Sequence, residues 1–281
     1  MSGTLTLVPT PIGNLGDISP RAAEALAAAD FIAAEDTRVT LKLLNHLGIK
    51  KPLVSYYEHN KLESGPSILA RIQNGENCVL VSDAGSPAIS DPGEDLVRIC
   101  AEQGILVSAI PGPCAAITAL SISGLPTGRF CFEGFLSVNK KSRREHLDSL
   151  RDEERTMIFY EAPHKLKTTL QDMRKVFGDE RRISLCRELT KLHEEVLRMT
   201  LGTAVDYHES NEPRGEYVLI LEGAQKKEAD LPGEKDVLSL VREKIASGMT
   251  KKDAIREAAA ESGMAKNAVY ELVLNEDASA E

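Results

Sequence analysis

Two aspartates bracket a run of small residues in Ser82-Asp83-Ala84-Gly85-Ser86-Pro87-Ala88-Ile89-Ser90-Asp91-Pro92-Gly93, directly after the apolar run Val79-Leu80-Val81. The pattern reads as a buried strand delivering a turn-rich loop to the edge of a sheet. Gly85, Ser86 and Ala88 lack bulk, so a ligand could approach the backbone closely there. Asp83 could accept hydrogen bonds from ligand hydroxyl or amino groups. A plain connection from strand to helix has the same local composition, and this loop alone does not decide between the two. A second cluster, Glu35-Asp36-Thr37-Arg38, places two carboxylates, a hydroxyl and a guanidinium behind the short apolar run Phe31-Ile32-Ala33-Ala34. A third, Pro111-Gly112-Pro113-Cys114-Ala115-Ala116, reads as a helix start with Pro113 at its first position. Its open N–H groups suit a carboxylate.

The elements that must position these clusters alternate. Leu5-Thr6-Leu7-Val8 is a strand, and Ser19 caps a helix that Pro20 opens and Ala29 ends. Strands at 31–34, 53–56, 79–81 and 105–110 follow, separated by helices ending near Leu47, at 62–73 and at 95–103. Five alternations of strand and helix predict a mostly parallel sheet covered on both faces. In such sheets ligands sit beyond the carboxyl ends of the strands, where all three clusters fall.

The Gly- and Pro-bearing segment 123–128 predicts a boundary, giving an N-terminal α/β domain over 1–124. A second α/β domain over 125–225 is expected, with strands at 130–136, 156–160 and 183–186 and helices at 140–152 and 163–177. Residues 196–201 and 216–221 are expected to be neighbouring strands, with antiparallel pairing in this half. Residues 225–236 read as a linker. The tail from 237 is helical, with 250–260 and 265–274 flanking Ser262-Gly263-Met264. That spacing fits a helix–turn–helix that enters nucleic acid, and equally a small three-helix packing module.

Composition narrows the function classes. The 281 residues carry a net charge of −9, 4% aromatics and no Trp, which disfavours a surface built to stack rows of bases. The five cysteines form no CxxC pair, so neither a disulfide framework nor a zinc site is indicated. No GxxxxGK[ST] occurs. No signal-peptide core and no apolar run of membrane-spanning length are present, which reads as a soluble cytoplasmic protein without a membrane partner. Residues 125–225 hold 17 of the 34 basic groups, including Lys140-Lys141-Ser142-Arg143-Arg144 and Arg181-Arg182. Such local patches, more than the global sum, decide whether phosphates are held.

Eight motifs then occur in order: LVPTPIGNLGD (7–17), AEDTR (34–38), SDAGSPAISDPG (82–93), IPGPCAA (110–116), FEGFL (132–136), FYEAPHK (159–165), CRELTK (186–191) and GEYVLILEG (215–223). Together they resemble the small-subunit ribosomal RNA methyltransferase I family, within the tetrapyrrole-methylase-like superfamily, over roughly residues 4–275. The resemblance implies a two-domain class III methyltransferase fold with a small C-terminal helical module. It also implies a homodimer, and S-adenosylmethionine held in the cleft between the domains. The reaction it implies is methylation of a cytidine ribose 2′-hydroxyl in the decoding region of 16S rRNA, on the small ribosomal subunit, with no metal.

The first loop, Pro9-Thr10-Pro11-Ile12-Gly13, departs from the glycine-rich loop of the tetrapyrrole enzymes. It favours the rRNA branch over methylation of a tetrapyrrole or other small molecule. The superfamily's Gly-Asp-Pro element corresponds to Gly85-Ser86-Pro87, so either Ser86 or the nearby Asp83 is the main donor contact. The donor-binding set so implied is Thr10, Pro11, Asp83, Gly85, Ser86, Ile89, Ser90, Pro113, Cys114, Ala115, Ala116, Tyr160, Gly215 and Glu216. A ribose hydroxyl is a weak nucleophile and needs a general base or a nearby cation. Candidates by residue type are Glu35, Asp36, Glu161, Arg187, Glu188 and Lys191. A non-catalytic nucleic-acid-binding regulator built on the C-terminal helix pair is the reading from a different class.

Overall fold

The computed structural model describes residues 2–225 and 234–279. Residues 1–224 form one compact unit and 225–281 a second.

The first half of the larger unit is built on β1 (Thr4–Leu7), β2 (Phe31–Ala34), β3 (Leu53–Ser55), β4 (Cys78–Val81) and β5 (Leu106–Ala109). They pair in the order β3-β2-β4-β1-β5, parallel throughout. β2 and β4 are buried along their whole length, because helices cover both faces. α1 (Pro20–Ala28) and α2 (Thr37–His46) place Ala22, Leu26 and Leu44 against Val8, Ile32 and Val81 on one face. On the other, α3 (Lys61–Gln73) and α4 (Glu94–Glu102) place Ile68, Ile72, Leu96 and Cys100 against Leu5, Phe31 and Leu80. Ser19 caps α1 through the Ala22 N–H, with Pro20 in the first turn as expected.

α5 (Ala115–Ile122) does not begin where the sequence points. Cys114 is the N-cap and Pro113 lies outside the helix. The Pro113 carbonyl is taken by the Ser86 hydroxyl at 3.1 Å, which fixes the loop before the helix can start.

The second sheet contains β6 (Phe130–Phe135), β7 (Thr156–Glu161), β8 (Arg182–Arg187), β9 (Glu195–Thr200) and β10 (Tyr217–Leu221), in the order β6-β7-β10-β8-β9. β6 and β7 are parallel and the other pairs antiparallel. The expected pairing of β9 with β10 is corrected here. The apolar β10 (YVLIL), buried on both faces, inserts between β7 and β8, and the more polar β9 takes the edge beside β8. The chain returns from that edge to the centre through α8 (Leu201–Ser210), a helix not anticipated from the sequence. α6 (Lys140–Ser149), α7 (Pro163–Phe177) and α8 cover one face of this sheet through Leu147, Leu166, Leu170 and Leu201. The other face receives α5, whose Ala116, Ala119 and Leu120 pack on Ile158, Val218 and Ile220. A helix that follows the last strand of the first sheet thus lies on the second, which joins the two halves into one unit.

The basic segment of α6 also departs from expectation. Arg143 is not a phosphate-facing cation: it is 8% exposed, and it donates to Asp172 Oδ2 from Nε and Nη2 at 3.0 and 2.8 Å. Its Nη1 reaches the carbonyls of Ser137 and Val138. Arg182 pairs with Glu222, and Arg181 donates to the Glu222 carbonyl, so neither is free. Lys140 and Arg144 stay exposed.

The smaller unit consists of α9 (Glu234–Ala246), α10 (Lys251–Ser262) and α11 (Lys266–Ser279). Val237, Val241, Ile255, Ala258, Val269 and Val273 form its core. Thr250 caps α10 through the Asp253 N–H, and Gly263 ends it at φ +71°. Most of the expected linker (226–233) lies outside the described residues, and its last residues, 234–236, already belong to α9. Among the described residues, no helix is long and apolar enough to cross a membrane.

Candidate functional site

The exit loops of β1 and β4 are zipped together. Thr10 N–H donates to the Gly85 carbonyl at 2.9 Å, and Gly85 N–H returns to the Thr10 carbonyl at 3.0 Å. The buried Thr10 hydroxyl donates to the Ser82 carbonyl at 3.1 Å. Gly85 stands at φ +88°, and a Cβ there would meet Ile12 Cγ2 at 3.3 Å, so a side chain fits neither the backbone nor the space. Ala88 and Ser90 hold φ of +65° and +62°, a conformation that side-chain-bearing residues rarely adopt and that marks a constrained turn.

Beside this turn a cleft of about 460 Å³ opens within the larger unit, between the carboxyl ends of β1, β2 and β4 and the second sheet. One wall carries Glu35, Asp83, Asp91, Ser86 and Ser90. The opposite wall carries Tyr160, Leu189, Tyr217, Val218 and Phe135. Cys114 and Ala115 bring the start of α5 to the cleft, where Tyr160 Oη accepts the Ala116 N–H at 3.2 Å. The Tyr160 ring lies 5.2 Å from that of Phe132 and 5.4 Å from that of Phe135, which holds it in place.

Three carboxylates share the first wall, and their protons reflect it. Burial, then the charges of Glu35 and Asp83, push Asp91 up from 3.8 to about 6, although the Ser82 hydroxyl opposes this. Burial raises Glu35 against the hydrogen bond from the Asp83 N–H, and burial raises Asp83 against the one from the Asp36 N–H. The repulsion from neighbouring carboxylates, the smaller part of each shift after burial, is what a bound cation would relieve.

The Asp91 shift has a consequence for stability. Folded Asp91 keeps its proton to about pH 6 and the unfolded chain releases it near 3.8, so between those values the folded state binds more protons. Stability therefore falls as pH rises through that window. Allowing for screening at the open cleft, the loss is about 1 kcal/mol. Asp91→Asn is expected to raise the Tm of the larger unit by about 2–4 °C at pH 7.5 and to leave it unchanged near pH 4. Thermal unfolding at the two pH values checks this.

Of the residues expected to bind a donor, Asp83, Gly85, Ser86, Ile89, Ser90, Cys114, Ala115, Tyr160 and Glu216 line the cleft. Thr10, Pro11, Pro113, Ala116 and Gly215 do not line it. Thr10 and Pro113 pin the loop, and the Gly215 backbone, at φ +76°, leaves room for the Glu188 side chain.

Of the catalytic candidates, Glu35, Glu161 and Lys191 line the cleft. Asp36 caps α2 and takes Arg38 on both oxygens, which draws its carboxyl down to about 2. Glu188 accepts Lys191 Nζ at 2.8 Å and the Glu216 N–H at 2.9 Å. Arg187 Nε lies 3.3 Å from Glu195. These three stand outside the lining. Burial works against the Lys191 ammonium, but Glu188 and Glu216 outweigh it and raise its pKa, so Lys191 is a cation and not a base. Asp91, Ile12, Phe135, Leu189 and Tyr217 line the cleft without having been singled out. All five lie inside the motifs quoted from the sequence, but only Asp91 has a side chain whose type pointed to chemistry there. Among the described residues, no group of acidic, His and Cys side chains could hold a metal ion.

Residues 4–205 match the family model described as tetrapyrrole (corrin/porphyrin) methylases. The chain is 48% identical over 276 residues to ribosomal RNA small subunit methyltransferase I of Synechocystis sp., covering 98% of this chain and 99% of that one. It is 47% identical to the protein of the same name from Escherichia coli O157:H7, covering 98% and 96%. Among solved structures it resembles the methyltransferase CobJ, with a TM-score of 0.58 at 19% identity over 79% of this chain and 95% of that one. Uroporphyrin-III C-methyltransferase from Thermus thermophilus, complexed with S-adenosyl homocysteine, gives 0.54 at 19% over 78% and 97%. At that identity the structural likeness establishes the fold.

Proposed function

The chain belongs to the ribosomal RNA small subunit methyltransferase I family, within the tetrapyrrole (corrin/porphyrin) methylases, and from that premise we propose that its cleft binds S-adenosylmethionine and passes the methyl group to 16S rRNA in the small ribosomal subunit. The acceptor is a cytidine ribose 2′-hydroxyl of the decoding region, and the reaction takes place in the cytoplasm. The single observation that carries this reading is the make-up of the cleft: Glu35, Asp83 and Asp91 on the side of the first sheet, and on the other side the apolar and aromatic Tyr160, Leu189, Val218 and Phe135 with Glu161, Lys191 and Glu216 among them. The donor has matching parts. Its sulfonium and ammonium groups suit Glu35, Asp83 and Asp91, and its carboxylate suits the start of α5. Its adenine suits the Ile12, Leu189 and Val218 surface. Both Asp83 and Ser86 line the donor site; Asp83 supplies charge and Ser86 supplies space.

Methyl transfer is an in-line displacement, and alignment of the 2′-oxygen with the methyl carbon contributes about 7–11 kcal/mol of the barrier reduction. A homodimer is part of the proposal, supported by the open edge of β5, where Leu106 is 67% exposed.

Titration calorimetry with S-adenosylmethionine and S-adenosylhomocysteine from pH 5 to 7.5 tests the donor site. Ionisation of Asp91 near pH 6 is expected to tighten binding of the sulfonium form as pH rises, and that of the neutral thioether less. Absence of binding by either compound would overturn the proposal. A tetrapyrrole acceptor predicts methylation of a porphyrinoid with no label on small subunits. A purely binding regulator predicts no donor binding.

A further inference from the structure

Behind the donor cleft, on the side of α7, lies a second cavity of about 290 Å³. Glu161 lines both cavities. Its side chain is buried, and each carboxylate oxygen accepts one hydrogen bond: Oε1 from the Ala162 N–H at 2.8 Å, Oε2 from the Thr169 hydroxyl at 2.5 Å. Each oxygen therefore keeps acceptor capacity. The far wall is rigid, because Arg143 is locked to Asp172 and ties down the Ser137 and Val138 carbonyls. The rim is open, with Val138 73% exposed.

His164 and Lys165, in the first turn of α7, line this cavity, and among the described residues neither side chain takes part in an ion pair. They differ in this from Arg143 and Lys175 close by, which are both committed to Asp172. The cavity thus combines a buried carboxylate on its inner wall with uncommitted basic side chains. At about 290 Å³ it has the volume for a ribose phosphate and is too small for an RNA duplex.

We propose that this cavity is the subsite of the acceptor nucleotide, with the ribose against Glu161 and the phosphate against Lys165 and His164. The inference rests on the methyltransferase reading and names the place where the RNA enters it. In the step so assigned, the 2′-oxygen attacks the methyl carbon and the new C–O bond forms as the C–S bond breaks. The sulfur keeps the electron pair and leaves as the neutral thioether of S-adenosylhomocysteine. The hydroxyl proton passes to the Glu161 carboxylate, which later sheds it to water.

The test uses the full chain, small ribosomal subunits from cells lacking it, and three variants: Lys165→Glu, Val138→Trp and Glu161→Gln. Each is assayed for S-adenosylmethionine affinity by calorimetry and for kcat and KM toward subunits. Lys165→Glu is expected to raise KM at least tenfold with kcat within threefold. Val138→Trp, at an exposed rim where the fold does not depend on it, is expected to lower kcat/KM more than twentyfold. Glu161→Gln keeps the shape of the side chain and one acceptor oxygen for the Ala162 N–H, while the Thr169 hydroxyl turns to accept from the new amide NH2; it is expected to lower kcat about 100-fold at unchanged KM. Lys165→Glu and Val138→Trp, neither of which lines the donor cleft, keep donor affinity within twofold. If wild type binds the donor and transfers the methyl group while Lys165→Glu and Val138→Trp behave as wild type, the subsite assignment is wrong. Loss of donor affinity in step with acceptor use also overturns it. If wild type itself binds no donor, the underlying reading fails and takes the subsite with it.

Discussion

Tryptophan in place of Ser86 is expected to abolish donor binding, with affinity for S-adenosylhomocysteine falling by more than 100-fold in calorimetry. Ser86 lies on the cleft wall between Gly85, whose backbone excludes a side chain, and Pro113, whose carbonyl takes the Ser86 hydroxyl. The indole has no room on the loop side, where Thr10 and Gly85 are hydrogen-bonded to each other, and it must enter the cleft. The cost to folding is that of one part-buried hydrogen bond, about 1 kcal/mol, so the variant should fold. Ser86→Ala separates the two effects: it loses the same hydrogen bond without filling the cleft, and its donor affinity should stay within a few-fold of wild type. Equal affinities for Ser86→Trp and wild type would remove the turn from the donor site.

Arg143→Ala is expected to cost about 3–5 kcal/mol of stability, read as a shift in the urea midpoint. The guanidinium and the Asp172 carboxylate are both buried, and removing one leaves the other charged with only Lys175, at 3.3 Å, as a partner. Burial alone would raise Asp172, but Arg143 and Lys175 outweigh it and hold its carboxyl below the ordinary value. The pair's stabilisation is therefore present above pH 4 and lost as pH falls through the lowered value. The variant's deficit should shrink in acid. Arg144→Ala, next to Arg143 in sequence but exposed on a different side of α6, should change stability by no more than about 0.5 kcal/mol. A small loss for Arg143→Ala, with reduced binding to small subunits instead, would restore Arg143 as an RNA contact.

These two residues also mark how far the sequence could be read. The loop holding Ser86 was legible because its signal is local: an apolar run ending in Gly, Pro and Ser fixes a strand, a turn and an open space within the fifteen residues 79–93. The parallel sheet was legible for a similar reason, since helix caps such as Ser19-Pro20 and buried runs such as 78–81 report their own structure. Arg143 was not legible. Its partner lies 29 residues away on another helix, and a basic run looks the same whether its members face solvent or a buried aspartate.

The order of the second sheet was hidden by the same kind of fact. β10 is apolar on both faces and carries nothing that names its neighbours, so only the assembled sheet shows it between β7 and β8. At the candidate site, residue type alone could not separate Glu161, which faces the cleft, from Asp36, which is used up as a helix cap. Asp91 stood in plain view in its motif, yet its weight comes from Glu35 and Asp83, which converge on it only in the fold.

The most direct measurement follows the methyl group. Small subunits from cells lacking this protein are incubated with it and methyl-labelled S-adenosylmethionine, and the 16S rRNA is then hydrolysed in alkali. A methylated 2′-oxygen can no longer attack the adjoining phosphate, so the expected label emerges in one alkali-stable dinucleotide. Label in a mononucleotide, or none on the RNA at all, would contradict a cleft that delivers a sulfonium methyl to a ribose.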